Sequence, residues 1–346
     1  MRYLSYLEGE PTLQSYRLDH APQPGYSPVF ICPFVVLTSE SGDTYNLMRG
    51  IQGQRKDETM NLGIYKVLPQ LDGQCPLFVP FDEVPISEPY WVTETAESVA
   101  YVGRTFRLEW GVDRYRWVDA SGRVDLTAKR LGQVATFWVP SQPGYEEPQM
   151  LRSHLGKVTG TLDGEAVEGL FMLDYIYSRS ELMWREMGML TKLHNLWVNW
   201  LVEYDDGSYE GGYAWRGRPG NGFAAAHHCV DGVSTARADA RMETERTERG
   251  TITRVRLTLG DDFEVVLDQL GSLDWPLHTV GTVASTSRGK QIVRSWNYTE
   301  YFPLNWPAVA EYQAAHRSLF GRYPSFQRLM ADARIEDEHV VFPERR

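Results

Sequence analysis

The side chains in this sequence that could do chemistry are a few carboxylates and histidines set among aromatic residues. The segment DYIYSRSE places Asp174, Tyr175, Tyr177, Arg179 and Glu181 within eight residues. A carboxyl group beside a tyrosine-lined pocket loses its water, its pKa rises, and it can serve as a general acid. Paired with Arg179, the same Asp174 would stay ionised as structural glue, and the sequence admits both readings. In strand phase Asp174 and Ile176 share one face, opposite Tyr175 and Tyr177. A second group lies in LHNLWVNWLVEYDDGSYEGGYAW, Leu193 to Trp215. Its Asp205-Asp206-Gly207-Ser208 cluster is turn chemistry between β-branched and aromatic runs, which predicts a hairpin. Asn195, Trp197, Asn199, Leu201 and Glu203 then share one face, and Leu196, Val198, Trp200, Val202 and Tyr204 the other. The second face is plain core. The first fits neither solvent, where Trp197 is misplaced, nor a packed core, where Asn195 and Asn199 need partners. A cavity meets both demands; an exposed face with one stray tryptophan is the alternative. RSWNYTEYF, Arg294 to Phe302, repeats the tight alternation, with Trp296, Tyr298 and Glu300 opposite Asn297 and Thr299.

The remaining titratable candidates are His227 and His228, followed by Cys229. Neighbouring strand residues point to opposite faces, so the pair is not expected to hold one metal ion. His227 or its neighbour could face a lumen, where a near-neutral pKa suits acid–base work, or be purely structural. The sequence contains no GxGxxG after a strand, no GxxxxGK[ST], no GxSxG and no HExxH, so neither a nucleotide nor any other cofactor is expected.

The elements that must carry these residues are short strands. Turn signals recur at Ser41-Gly42-Asp43, Asp72-Gly73, Ser121-Gly122, Asp163-Gly164, Asp206-Gly207, Asp231-Gly232 and Gly260-Asp261-Asp262, with runs such as VFICPFVVL, TFRLEWGV, RYRWVDA and FEVVLDQL between them. Many strands at short spacing predict an all-β sandwich or barrel. In TRVRLTL, Val255, Leu257 and Leu259 alternate with Arg254, Arg256 and Thr258, the pattern of a strand with one wet face. ARADARMETERTERG, Ala236 to Gly250, reads as an exposed strand or a solvated helix face. Helix signals are few. NWPAVAEYQAAHRSLFG predicts one long helix, with Asn305 as N-cap, Pro307 in the first turn and Gly321 as C-cap. SELMWREMGML, Ser180 to Leu190, is a weaker helical candidate and the expected connection between two halves, residues 1–188 and 189–346.

Composition narrows the partner. The chain has 346 residues, a net charge of −11, 11 Trp and 19 Tyr. Without clustered Lys and Arg, that charge argues against nucleic acid and anionic membrane surfaces, and leaves a neutral or small partner. No run long and apolar enough to span a membrane occurs, and the N-terminus lacks an apolar leader segment. Three widely spaced cysteines, Cys32, Cys75 and Cys229, suit reduced buried thiols, so a cytoplasmic location is expected. The oligomeric state is not legible.

The order of features then resembles a known family. GKVTGTLDGEAVEGLFMLDYIYS, Gly156 to Ser178, carries Gly156, Gly160, Asp163-Gly164 and Gly169, with Asp174 further on. This is similar to the end of the first barrel in the double-lipocalin superfamily, which includes carotenoid 1,2-hydratases, kievitone hydratase, AttH-like proteins and fungal decalin-forming Diels-Alderases. There the strand is followed by Gly-x-x-x-Asp-His-x-Trp-Gly. Here Tyr175, Tyr177 and Ser178 replace the motif's His, Trp and Gly, so the imidazole is missing. The resemblance implies two lipocalin-like antiparallel barrels in tandem, with an apolar ligand in a barrel or at their interface. On that fold Asn195, Trp197, Asn199 and Glu203 would line the second barrel's lumen. The activity implied is a cofactor-independent hydratase, dehydratase, isomerase or cyclase acting on an isoprenoid, polyketide or phenolic. The acid is sought among Asp174, Glu181 and Glu203, with His227 next, and the walls and handles among Tyr177, Asn195, Trp197, Asn199, Trp200, Trp296 and Tyr298. A non-catalytic carrier of the same ligand class is the alternative.

Overall fold

The computed structural model describes residues 1–53, 63–72, 88–180, 188, 192–274, 277–309, 311–312 and 333–342. It is all-β, built from two curled antiparallel sheets. The first is formed by β1 (Leu4–Leu7), β2 (Ser27–Ser39), β3 (Thr44–Met48), β4 (Ile51–Gln52), β5 (Gly63–Val67), β6 (Trp91–Glu94), β7 (Val99–Val102), β8 (Arg107–Trp110), β9 (Arg114–Asp119), β10 (Val124–Arg130), β11 (Ala135–Val139), β12 (Gln149–Leu162) and β13 (Glu165–Ser178). Its main order is β5-β3-β2-β13-β12-β10-β9-β8-β7-β6, with β4 on β2 and β11 joining β1 to β12. The second sheet is formed by β14 (His194–Tyr204), β15 (Tyr209–Gly217), β16 (Ala224–Val230), β17 (Val233–Arg237), β18 (Ala240–Arg246), β19 (Ile252–Leu259), β20 (Phe263–Asp274), β21 (His278–Thr286) and β22 (Ile292–Tyr301). Its order is β17-β16-β15-β14-β22-β21-β20-β19-β18. A hairpin of β23 (Arg334–Glu336) and β24 (His339–Val341) follows.

The Asp-Gly pairs make the tight turns expected of them. Asp163-Gly164 between β12 and β13 has φ of 53° and 85°, and Asp231-Gly232 between β16 and β17 has 48° and 88°. Two consecutive positive φ values give the turn whose twist matches the flanking strands. The segment Ala236 to Gly250 contains strand β18, which resolves its earlier ambiguity in favour of a strand.

Alternation of burial along each strand shows which layer it belongs to. β9 alternates exposed Arg114 and Arg116 with buried Tyr115 and Trp117, so one face is wet. β14 is buried on both faces until Glu203, and β13 is buried throughout from Gly169 to Ser178. These doubly buried strands exist because the outer faces of the two sheets pack on each other. Three apolar layers result. One fills the first sheet's interior with Tyr101, Trp110, Tyr115, Trp117, Phe171 and Tyr175 among others. One fills the second sheet's interior with Leu196, Val198, Trp200, Val202 and Tyr204 against Val255, Leu257 and Leu267. The third lies between the sheets and joins Phe34, Leu151, Leu155 and Met172 to Trp197, Leu201, Tyr213, Trp215, Trp296 and Tyr298.

The long C-terminal helix is not borne out. Described helical backbone covers 306–309 and 311–312, and the remainder of the expected segment, like most of Ser180 to Leu190, lies outside the described residues. Asn305 is not used as a side-chain N-cap either. Its amide donates to Val340 O and accepts from Val340 N, both at 2.8 Å, which ties the helix start to β24 as a ladder residue would.

The first sheet's interior also holds a buried ion pair. Arg49 donates to both oxygens of Asp119 at 2.5 and 2.8 Å, and Trp117 and the Ala120 amide donate to the same carboxylate. Both charged side chains are fully buried. Breaking such a pair strands a charge, so Asp119→Ala should cost about 3–5 kcal/mol in denaturant unfolding. Asp125→Ala, which removes the exposed Arg116–Asp125 pair, should cost less than about 1 kcal/mol. Equal losses for the two variants would contradict this assignment of the core.

Candidate functional site

The polar residues with the most unusual surroundings lie in the layer between the sheets. Along β13, Leu170, Met172, Asp174 and Ile176 point into this layer, while Phe171, Leu173, Tyr175 and Tyr177 point into the first sheet's interior. Asp174 stands between Cys32 of β2 and Ser153 of β12 in the strand register. Ser153 donates to Asp174 Oδ1 at 2.5 Å. Burial raises the Asp174 carboxyl well above the usual range; the Ser153 bond opposes this, and the charge of Glu300 adds to it. Burial thus favours the protonated form of this carboxyl, the form that can donate a proton. Cys32 is buried beside it, and burial first, then Asp174 and Glu300, keep its thiol protonated.

The second sheet supplies the opposite wall from β14, β15 and β22. Asn199 sits between Tyr213 and Tyr298 in the register and is fully buried. Neither its amide nitrogen nor its amide oxygen has a hydrogen-bond partner. Tyr213 donates to Ser153 O at 3.2 Å, and the Tyr298 ring lies 4.8 Å from Phe34, so both tyrosines reach across to the first sheet. Trp296 does the same through Nε1 to Thr38 at 2.9 Å. Trp197 stacks on Trp215 with centroids 5.6 Å apart and planes 15° apart, and neither indole N–H is partnered. This makes a flat apolar wall carrying unsatisfied donors.

Beside the wall, His278 donates to Glu300 at 3.2 Å and stacks on Tyr298. Burial alone would raise the Glu300 pKa, but the His278 bond and the nearby His194 and His278 lower it on balance. His194 is buried among Trp197, Trp215 and Phe302 with neither ring nitrogen bonded. Burial lowers its pKa to about 4, so it is a neutral imidazole at pH 7. One layer thus presents a carboxyl with a raised pKa, a carboxylate held by an imidazole, and an amide with both ends unused.

Asp174, Trp197, Asn199, Trp296 and Tyr298 of the predicted set converge here, but the layer is not the one expected. Leu196, Val198 and Trp200 line the second sheet's interior, and the Trp197 face meets the first sheet instead. Alternation tells which residues share a face and is silent about what the face meets. Asn195 leaves its expected face, because a bulge between His194 and Leu196 shifts the register. Its amide oxygen accepts from Arg216 at 3.0 and 2.6 Å at the end of the second sheet's interior. Trp200 stacks on Phe263 in that interior. Tyr177 lies in the first sheet's interior, bonded by Arg152 at 3.3 Å and near His20 at 3.1 Å. Glu203 is not in an aromatic cavity; four residues beyond Asn199, it pairs with Lys157 and Arg294 at the edge of the layer. His227 is buried with Nε2 at 2.9 Å from Ser234, and burial takes its pKa down to about 3. Glu181 lies outside the described residues. Ser153, His194, His278 and Glu300 were not among the predicted site residues. Glu300 carried a signal, since it shares the face of Trp296 and Tyr298. Ser153 carried one as well, since a hairpin turning at Asp163-Gly164 sets it opposite Asp174, while His278 comes in through the register of β21 on β22. Among the described residues no three His, Cys, Asp or Glu side chains are grouped as metal ligands.

No family model and no curated protein matches the sequence. The chain is similar to two solved double-lipocalin proteins. One is an AttH-like protein from Nitrosomonas europaea, at 14% identity over 79% of this chain and 92% of that one, with a TM-score of 0.42. The other is kievitone hydratase from Nectria haematococca, at 9% identity over 85% of this chain and 97% of that one, with a TM-score of 0.35. No helix among the described residues is long and apolar enough to cross a membrane.

The raised Asp174 pKa has a signed consequence. A folded carboxyl held above its unfolded value of about 3.9 contributes stability below that pH and loses it as pH rises toward the folded pKa. Wild type should lose stability relative to Asp174→Asn over this window, by up to about 1.4 kcal/mol per pH unit. Parallel stability–pH curves above pH 4 would show that Asp174 ionises normally. Asn199→Leu should raise stability by about 1 kcal/mol or more in urea unfolding, because it removes two buried groups that bond to nothing. A loss of that size would mean the amide is satisfied.

Proposed function

We propose that the layer between the sheets is an active site for cofactor-independent acid–base chemistry on an apolar small molecule, of the hydratase, dehydratase or cyclase kind. In this reading residues 1–188 and 189–346 are the two lipocalin-like domains that form its walls. Buried free thiols at Cys32 and Cys229 suit a reducing cytoplasm. The observation that carries the reading is the buried Asp174 carboxyl, bonded to Ser153 and set in one layer with an unpartnered amide and a stacked indole pair.

The chemistry follows from these groups. In a dehydration, Asp174 gives its proton to the substrate hydroxyl and the C–O bond breaks to release water. Trp197, Trp215 and Tyr298 present π faces to the cationic charge that develops. The Glu300 carboxylate, oriented by His278, then takes a proton from the neighbouring carbon and the alkene forms. Hydration is the reverse: protonated Glu300 gives its proton to an alkene carbon, and the ionised Asp174 takes a proton from the water whose oxygen bonds to the cationic carbon. The Asn199 amide can donate to or accept from a polar group of the substrate, which fixes its orientation. Sheet-on-sheet packing keeps stray water from the cation.

The test is incubation of the protein with isoprenoid, polyketide and phenolic alcohols or alkenes in ¹⁸O-labelled water, following gain or loss of label by mass spectrometry. Asp174→Asn should lower the rate by about 10² to 10⁴ while Kd moves by less than about threefold, since the aromatic wall supplies most of the binding. A carrier with the same pocket would bind these compounds with no turnover to lose. Full turnover in Asp174→Asn would remove Asp174 as the acid.

A further inference from the structure

The edge of the same layer opens into a groove of about 310 Å³ lined by Arg114, Lys129, Lys157, Glu203, Leu201 and Tyr209, among others. Its cations form a row. Arg114 of β9 pairs with Lys129 of β10, and Lys129 pairs with Lys157 of β12, so three like charges stand side by side across adjacent strands. Like charges directly opposite each other destabilise a sheet. Lys157 is neutralised by Glu203 and Glu168, which Arg294 also contacts. Arg114 and Lys129 are exposed and have no anionic partner among the described residues. In a chain of net charge −11, the two exposed cations make a local positive site open to an anion.

The groove and the buried site lie on the same strand faces. Along β12, Ser153, Leu155, Lys157 and Thr159 alternate toward the second sheet, and along β14, Trp197, Asn199, Leu201 and Glu203 alternate toward the first. Four residues separate Ser153 from Lys157 and Asn199 from Glu203, roughly 13 Å of strand. Between the two ends stand Leu155 and Leu201, both buried. A Cβ on Gly211 would lie 3.2 Å from Leu155 Cδ2 and 3.3 Å from Leu201 Cδ1, so the two leucines converge on one spot. The layer between groove and acid is apolar and closed by these two leucines, so entry from the charged groove requires them to move aside.

We propose that the substrate is an amphiphile with one anionic head, carboxylate or phosphate, held by Arg114 and Lys129 while its apolar body passes Leu155 and Leu201 toward Asp174. This rests on the assignment of the inter-sheet layer as the active site. Arg114 offers a planar fork to either anion and Lys129 a point charge. Glu203 is already engaged by Lys157 and Arg294, which limits its repulsion of the head.

The test uses cis-parinarate and its methyl ester, which differ only in the charge of the head, with binding read by fluorescence. Wild type should bind the acid about tenfold more tightly than the ester at low salt, and the difference should shrink as ionic strength rises. Arg114→Glu with Lys129→Glu, both at exposed positions, should abolish the preference and leave ester affinity unchanged. Leu155→Trp or Leu201→Trp should weaken both probes. Displacement by laurate and by dodecyl phosphate tells carboxylate from phosphate. Equal affinity for acid and ester in wild type would overturn the proposal, as would a preference that survives the double charge reversal. Unchanged binding of both probes in both tryptophan variants would also overturn it. Full turnover in Asp174→Asn with the acid preference intact would sink only the catalytic assignment. Loss of turnover in that variant with no acid preference would sink only the anionic substrate class.

Discussion

Everything in the candidate site depends on one packing event, the outer face of one curled sheet closing on the outer face of another. A sheet that curls around its own core ordinarily turns its other face to water, where asparagine, serine and aspartate cost nothing. Here β2, β12 and β13 are covered by β14, β15 and β22, so polar side chains on those faces lose their water. Asp174 responds with a pKa pushed well up toward its neutral form, Glu300 by taking His278 as partner, and Asn199 by having no partner at all. These are the three ways a polar group can be buried: neutralised, paired or left unsatisfied.

The unsatisfied groups are the informative ones. A buried donor or acceptor without a partner costs about 1–3 kcal/mol, and the inter-sheet layer holds several: both ends of Asn199, the indole N–H groups of Trp197 and Trp215, and both ring nitrogens of His194. An interface selected for adhesion alone would replace them with leucine. What sets the layer apart is that they share it with a buried carboxyl, Asp174, whose pKa burial pushes well up. The second sheet's interior holds unpartnered atoms as well, at Trp200 and Glu210, and so does the first's, at Arg49 Nη1, Trp110 Nε1 and His154 Nε2. Arg49 and Asp119 are buried there too, yet the carboxylate is bonded by Arg49, Trp117 and Ala120, and the group reads as structure.

Much of this was legible in the sequence. The Asp-Gly turns, the strand runs and the shared faces of Trp197 with Asn199, of Trp296 with Tyr298, and of Asp174 with Ile176 follow from a period of two. The layer each face meets does not. Trp197 and Trp200 both read as aromatic strand residues, and only sheet packing sends the first between the sheets and the second into the second sheet's interior. Asn195 was misplaced because a bulge at His194/Leu196 has no sequence signature here. Ser153 and His278 meet Asp174 and Glu300 through the registers of the consecutive pairs β12–β13 and β21–β22, which the alternation within one strand does not supply. Asn305 satisfied every local rule for an N-cap and was used for ladder bonds to Val340 instead, a case of tertiary context overriding a local preference.

The central claim is that Asp174 is a neutral acid in the inter-sheet layer at physiological pH, and infrared difference spectroscopy tests it most directly. The spectrum of wild type minus Asp174→Asn at pH 7 should contain the carbonyl stretch of one protonated carboxyl group, shifting on transfer to deuterium oxide and fading only well above the ordinary carboxylate range. A difference spectrum showing instead the paired bands of an ionised carboxylate at pH 7 would contradict the account.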